Sequence, residues 1–451
     1  MREIHQKNTV RYYLLIILIL SFLFFTGDFG LIDVQKTAIV MAVGIDREED
    51  TFIITSQIAI PQASKQGKAT ETVQLVSRGA TVADAFEEIN AKTGWYPKLV
   101  FCHLIVLGEK AVEQDAFDAL DFFLLDEYMS DNCLLATCDG LAKDILNVAA
   151  LVDPSGSVAI QKILSPHAER VGSVMPTTLR EFAIGYYSES QSGFLPIVKI
   201  QPQQEQVGGS GSGQEQNGSS GSSGSSSSSG SSGSSQSSQS SESASGSSSS
   251  ESGSSGGGSQ SGSQSGESSS SGGSGGSGGG NEKPVFSAGE TALFVGGKRV
   301  DKFSQEETFA FNAVKHELRL AAYSVETDDA YCTLTVRRNS PKTKFKVGKD
   351  GRATLRVNVA MTAGLLDYSQ ALPKERLRDA GDVPQGAFEA ASKRLTAQIH
   401  QTFEKCRAAH CDLFGIVEQL QKLENRRYEE LKTDALKNAI INVSVRFTGV
   451  R

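Results

Sequence analysis

The sequence predicts an α+β protein in which an N-terminal membrane helix is followed by three mixed α/β domains. An uncharged apolar run follows a basic start, strand-like and helix-like segments then alternate, and one Ser/Gly-rich tract interrupts them. The predicted parts are a basic cytoplasmic flank at 1–11, a signal-anchor helix at 12–27, and domains at 31–150, 151–313 and 314–451, the second interrupted by a disordered insertion at 203–281.

Chain length predicts more than one domain, and net charge argues against one class of function. The 451 residues are too many for one compact core. The Ser/Gly/Gln tract cannot bury enough apolar surface to offset the entropy of ordering, so it is predicted to be a solvated spacer, with a glycosylated stalk or a wall-contacting arm as alternatives. The net charge of −8 argues against a nucleic-acid-binding protein, because phosphate contacts require clustered Lys and Arg.

The N-terminus predicts the compartment. Three basic residues precede 12–25, which carries no charge, and this order is typical of an export signal whose basic flank stays in the cytoplasm. Fourteen residues span only about 21 Å as a helix, short of the roughly 30 Å hydrocarbon core, so a cleaved signal peptide stays possible. No Ala-x-Ala cleavage site follows Phe25. We therefore favour a retained anchor.

The first domain is predicted from alternating patterns. Its predicted elements are strands at 37–45, 51–60 and 72–77, a helix capped by Thr81, a buried strand at 98–107, a helix at 115–125, a strand at 132–138 and a helix at 141–150. The second domain has predicted helices at 158–164 and 177–188 and strands at 193–200, 285–295 and 298–303. The Ser/Gly tract is therefore predicted to loop out between two strands of one sheet.

The third domain is predicted to be a sheet with a long helix packed across one face. Predicted strands lie at 318–325, 331–336, 353–360 and 439–447. One apolar stripe at helical spacing runs from about 385 to 431. Gly415 lies within the stripe and is a candidate break between two helices.

No catalytic, cofactor-binding or metal-binding residue is predicted, and an enzyme is not expected. His103 is interpreted as a core histidine, and His400 and His410 are too far apart on the long helix to share a site. The acidic run from Asp46 to Asp50 is interpreted as a solvated hairpin tip, since it lacks the glycine and terminal glutamate of a calcium loop. The six cysteines are predicted to be buried free thiols, with metal binding or redox chemistry as the alternative.

Several short motifs follow one another along the chain: Thr26-Gly27, Ala38-Ile39-Val40, Gly44-Ile45-Asp46, Cys102-His103-Leu104, Leu107-Gly108-Glu109, Leu120-Asp121-Phe122-Phe123, Leu195-Pro196, Asp412-Leu413-Phe414-Gly415 and Gly449. Taken in this order, they resemble the motifs of the Ger(x)C family, the C subunits of spore germinant receptors. Two departures stand out. The family's acylated cysteine is absent, since no cysteine precedes Cys102, and Leu125 replaces the arginine expected before Asp126. The missing lipid site favours a retained helix.

The resemblance implies a non-catalytic subunit on the outer face of the spore inner membrane. It also implies assembly with A and B type membrane subunits into a receptor that couples nutrient sensing to germination. No ligand-binding residue carries over, so direct binding of a small-molecule germinant stays open. The alternative from the residues alone is a membrane-anchored cell-envelope adhesin or wall-binding protein that uses the Ser/Gly tract as a stalk.

Overall fold

A computed structural model describes residues 12–21, 37–59, 72–148, 153, 155–201, 284–327, 331–369, 383–384 and 386–449. Residues 12–21 form helix α1, and all of them are exposed. The next elements are β1 (Thr37–Glu48), β2 (Thr51–Ala59), β3 (Thr72–Gly79), α2 (Val82–Thr93), β4 (Tyr96–Lys98), β5 (Leu104–Leu107), α3 (Glu109–Glu113), α4 (Phe117–Leu125), β6 (Leu134–Thr137), α5 (Ala142–Asn147), α6 (Gly156–Ile163), α7 (Pro166–Val171), β7 (Thr177–Thr178), α8 (Leu179–Tyr186) and β8 (Ser192–Gln201).

The second half of the chain begins again with strands. Its elements are β9 (Val285–Val295), β10 (Lys298–Phe303), α9 (Gln305–Lys315), β11 (Ala321–Glu326), β12 (Tyr331–Val347), β13 (Ala353–Tyr368), α10 (Ala387–Ala408), α11 (Ile416–Leu423), α12 (Tyr428–Leu431) and β14 (Ile440–Gly449). These elements confirm the predicted mixed α/β architecture. They form two sheets.

The larger sheet has ten strands, and its main path runs β10-β9-β8-β6-β5-β1-β2-β3. Strands β1, β5 and β6 are parallel neighbours, whereas β2 and β3 continue from β1 in antiparallel order. Residues Leu104 to Leu107 are all buried because α2, α4 and α8 cover one face of the sheet while α5 and α6 cover the other. Strands with both faces covered carry continuous apolar runs, which explains this segment of the sequence.

Strands on the two sides of the Ser/Gly tract are direct neighbours. Ser192 pairs with Val295 and Gln201 with Val285, so β8 and β9 form one antiparallel ladder. The prediction that the tract interrupts a single sheet is confirmed at its two flanks. The division at residue 150 stays a prediction, and strands from both predicted domains contribute to the same sheet.

The smaller sheet has four strands in the order β11-β12-β13-β14. Strand β14 closes it in parallel with β13, and α10 packs across one face. Leu395, Ile399 and Phe403 of α10 are fully buried at helical spacing, as predicted. Helix α9 joins the same core through Phe311.

Three sequence predictions were wrong in detail. The strand predicted at 98–107 is divided into β4 and β5, because Cys102 N–H donates to the Leu99 carbonyl (2.8 Å) and turns the chain. The helical stretch predicted at about 385–431 is three helices; the candidate break at Gly415 (φ 74°) is confirmed, since α11 begins directly after it. Helix α9 was not predicted, although Ser304 and Glu307 form a complete capping box.

The predicted anchor at 12–27 falls partly on described residues. Residues 12–21 are helical, whereas 22–27 lie outside the described ranges. Among the residues that the structure describes, no helix is both long and apolar enough to cross a membrane.

Candidate functional site

A cleft of about 490 Å³ opens where the large sheet meets the helices of the small sheet. The end of α8 and the start of β8 form one wall, and the segment between α10 and α11 forms the other. Side chains from residues far apart in sequence therefore meet here. We call this site the junction cleft; its charged lining residues are Glu181, Glu189, Lys315, Asp412 and Glu418.

Asp412 shapes the floor of the junction cleft. Its carboxylate accepts hydrogen bonds from the backbone N–H groups of Ile416 (2.9 Å) and Val417 (2.7 Å), the first two residues of α11. A helix has unpaired N–H groups at its start, and a carboxylate there also faces the positive end of the helix dipole. Gly415 supplies the left-handed turn between the carboxylate and the helix. The Asp-Leu-Phe-Gly motif is thus a helix-capping turn.

The same segment ties the two sheets together. The Asp412 N–H donates to Ser192 Oγ at the start of β8 (2.8 Å), and the Cys411 thiol lies 3.4 Å from the Phe294 carbonyl oxygen on β9. Phe414 inserts between Phe311 and Phe403, with ring centroids 5.3 and 5.2 Å away. Hydrogen bonds and aromatic contacts therefore hold this turn from both sides.

Burial and neighbouring groups shift the pKa values of Asp412 and Lys315 in opposite directions. Burial raises the pKa of Asp412, while the N–H groups of Val417 and Ile416 and the nearby Lys315 ammonium pull it down. Desolvation by the cleft walls lowers the pKa of Lys315, and Asp412 and Glu418 oppose that shift. The Lys315 residue nevertheless keeps a solvent-exposed surface. The cleft thus presents one cation among several carboxylates.

A second, more open cavity of about 520 Å³ lies beside the other side of α8. Arg47 pairs with Asp118 (3.3 Å), and Tyr186 donates its hydroxyl hydrogen to Asp115 (3.0 Å). The Tyr186 ring stacks on Phe117, with centroids 3.7 Å apart. The one cation of this cavity, Arg47, is therefore paired with a carboxylate, whereas the lysine of the junction cleft has no such short ion pair among the described residues. We regard the junction cleft as the stronger candidate.

Asp46 corrects a prediction. The acidic run at the β1–β2 turn was interpreted as solvated, but Asp46 is only 2% exposed. Its two carboxylate oxygens accept hydrogen bonds from the N–H groups of Ala142 (2.7 Å) and Lys143 (3.0 Å) at the start of α5. A side chain at Gly108 would collide with this carboxylate, which explains a glycine there. The Gly-Ile-Asp and Leu-Gly-Glu motifs therefore meet at one buried cap.

None of the histidines and cysteines named above lines the junction cleft, although Cys411 directly precedes Asp412. His103 is half-buried in the turn before β5, and burial lowers its pKa against opposing hydrogen bonds to the Phe101 and Ser157 carbonyls. All six cysteines are buried thiols, as predicted. Within the described ranges, no cluster of three His, Cys, Asp or Glu side chains could hold a metal ion.

Sequence reasoning did not identify Lys315, Ser192 or Asp412 as neighbours. The Asp412 motif was part of the family resemblance. Its turn was not predicted, because the apolar stripe at helical spacing continues through it. One feature of the sequence could have predicted the start of α11. An acidic residue lies three positions before Gly415 and an apolar run follows, an arrangement that favours a helix start. Nothing in the local sequence indicated Lys315, because its position depends on how α9 packs.

The fold and its capping turns define a two-sheet α/β protein in which buried carboxylates organise helix starts and join the sheets. Two family models match the chain in order: "Spore germination protein N-terminal domain" over residues 31–200 and "Spore germination B3/ GerAC like, C-terminal" over residues 289–449. The chain therefore belongs to the Ger(x)C family of spore germination proteins, and the resemblance noted in its motifs is confirmed.

The match to solved structures is more distant. A protein described as "Crystal Structure of the GerBC protein" is 12% identical in sequence, with 90% of this chain and 96% of that chain covered and a TM-score of 0.47. No curated protein sequence matches this chain.

Proposed function

We propose that this protein is a non-catalytic, extracytoplasmic subunit of a spore germinant receptor. It couples nutrient sensing to germination by assembling with A and B type membrane subunits. The observation that carries this proposal is the ordered pair of family matches over 31–200 and 289–449, which together include both sheets. A junction cleft bordered by a helix-capping carboxylate and a lysine is consistent with a protein that works by binding.

The proposed topology follows from the N-terminus. Residues 1–11 stay in the cytoplasm, 12–27 remain in the spore inner membrane as an uncleaved anchor, and the three proposed domains lie outside. Helix formation at 12–21 and the exposure of its apolar side chains support this assignment. Alkaline washing of spore membranes tests it directly: an anchored chain stays in the pellet, whereas a cleaved one appears in the wash without its first residues.

The proposed role is tested by deleting the gene in its spore-forming host. We expect slower germination in response to nutrients, normal growth of vegetative cells, and recovery when the wild-type gene is restored. Co-purification of the tagged subunit from spore membranes should recover A and B type subunits. Unchanged germination in a strain that lacks paralogues, together with no recovered subunits, would reject the proposal.

The junction cleft is proposed to transmit changes between the two sheets. Ser192 is the sharpest probe, because its Oγ accepts the Asp412 N–H and donates to the Ser190 carbonyl (2.9 Å). We expect Ser192→Ala to slow germination at normal protein abundance. Ser324→Ala is the matched control, since Ser324 forms an exposed hydroxyl contact with Thr333 far from the cleft. Equal germination rates in the two variants would show that the junction cleft does not transmit changes between the sheets.

A further inference from the structure

Exposed aromatic and apolar side chains lie at the end of the ten-stranded sheet where its parallel strands begin. They are Trp95 (38% exposed), Tyr96 (46%), Val100 (48%), Phe101 (61%) and Tyr128 (56%). The first two lie where β4 begins, the next two form the turn before β5, and Tyr128 lies in the loop before β6. We call these five residues the aromatic edge. Large apolar side chains grouped on a surface indicate a contact with another apolar phase or molecule.

The aromatic edge is preformed. Leu99 and Cys102 are buried on either side of the exposed pair, and the hydrogen bond between their backbones closes the turn. The Lys98 ammonium lies 4.5 Å from the centre of the Tyr128 ring, which connects the two loops. Val100 and Phe101 are therefore held outward by a turn whose flanking residues belong to the core.

The sheet topology places the aromatic edge beside the start of β1, the first strand of the folded part of the chain. Strands β1, β5 and β6 run parallel, so the loops that precede them lie at the same end of the sheet. Tyr96 pairs directly with Thr37, the first residue of β1. The segment 28–36, which separates Thr37 from the proposed anchor, can extend at most about 35 Å. The aromatic edge is thus at the end of the large sheet that lies nearest to the bilayer in which the N-terminal helix is proposed to be anchored.

We propose that the aromatic edge lies in the headgroup layer of the bilayer that holds the N-terminal helix. This proposal rests on the proposed retention of that helix. Trp and Tyr rings favour the membrane interface, where their apolar faces and polar atoms are both accommodated. Along the sequence, Lys92 and Lys98 flank Trp95 and Tyr96, and Asp126, Glu127 and Asp131 flank Tyr128, so the charges next to the aromatic edge are mixed. Binding is therefore expected to depend on apolar insertion and to need no anionic lipid.

The chain has a single tryptophan, which makes Trp95 a specific reporter. The full-length protein is reconstituted into phosphatidylcholine vesicles, with and without lipids brominated near the headgroup end of their acyl chains. We expect the brominated lipids to quench most of the Trp95 fluorescence and the bilayer to shield it from aqueous acrylamide. Adding anionic lipid should change neither result.

Matched variants distinguish insertion of the aromatic edge into the bilayer from a position that is merely close to it. Val100→Ser and Phe101→Ser should each lose most of the lipid quenching and gain acrylamide quenching. Leu366→Ser, which changes an equally exposed side chain (59%) on the other sheet, should leave both unchanged. Circular dichroism of each variant checks that the fold is retained, as expected for exposed positions.

Three failures of the proposal are distinguishable. A chain that resists alkaline extraction from the vesicles but shows no lipid quenching would overturn the aromatic edge proposal and leave the anchor intact. A chain released by alkali would overturn the retained anchor, and the aromatic edge proposal with it. Shielding of Trp95 only after receptor membrane subunits are added would assign the edge to a protein partner and reject the lipid contact.

Discussion

Asp46 on the large sheet and Asp412 beside the small sheet have the same local contacts in different surroundings. Each buried carboxylate accepts two backbone N–H groups from the first turn of a helix, and burial raises the pKa of both. Next to Asp46, the Asp144 carboxylate raises the pKa and the Lys143 ammonium lowers it, whereas the Lys315 ammonium lowers the pKa of Asp412. The same capping contacts thus occur inside a closed core at Asp46 and beside a cavity at Asp412.

The largest expected effect concerns the ring that holds the Asp412 turn. Phe414→Ala should lower the free energy of unfolding by about 3–5 kcal/mol, because it leaves a cavity between Phe311 and Phe403. Urea denaturation of the full chain measures the loss. The exposed Leu366→Ala variant should change stability by less than about 0.5 kcal/mol. Similar losses in both variants would show that the turn is not held by this packing.

The capping comparison itself is tested by Asp46→Ala and Asp412→Ala. Each should cost about 2 kcal/mol of stability, because two N–H groups at a buried helix start lose their acceptor. Asn in place of either Asp retains one acceptor oxygen and should recover part of the loss. Denaturant midpoints at one pH give the values. A much smaller loss for Asp412 would indicate that water entering the cleft replaces its carboxylate.

The raised pKa values predict a pH dependence with a definite sign. A carboxyl group whose folded-state pKa is raised contributes stability below its ordinary pKa, near 3.8, and loses it as pH rises through the folded value. Asn cannot ionise. The stability advantage of wild type over Asp46→Asn should therefore shrink between about pH 4 and pH 7, by less than about 1.4 kcal/mol for each unit of pKa shift.

Denaturant midpoints of wild type and variant across that range measure the trend, and Ser324→Ala serves as a non-ionising control. For Asp412 the same trend should be weaker, because the Lys315 ammonium favours the ionised carboxylate. An advantage of wild type that grows with pH would contradict the assigned direction.

The smallest expected effect on stability is that of Lys315→Met. The side chain is exposed, so the unfolding free energy should change by less than about 0.5 kcal/mol. The pKa of Asp412 should nevertheless rise, since the variant removes the attraction that lowers it. Carboxyl-carbon NMR of Asp412 across a pH titration measures this. An unchanged titration would show that the solvent screens Lys315 from Asp412.

Local patterning predicted much of the fold. The continuous apolar segment around Leu104–Leu107 indicated a buried strand, and the stripe through Leu395, Ile399 and Phe403 indicated a helix on a sheet. Both signals are periodicities of single segments. The break at Val100–Phe101 was missed because exposed apolar residues in a turn have the same composition as a buried strand.

The amino-acid sequence alone determined the mixed α/β composition, the interruption between β8 and β9, and membership in a germination family, because these depend on local periodicity and ordered motifs. Only the tertiary structure decided that Asp46 is buried, that Asp412 faces Lys315, and that the aromatic edge lies beside Thr37. Those relations join residues far apart in the chain. They arise from strand register and helix packing, which no single segment encodes.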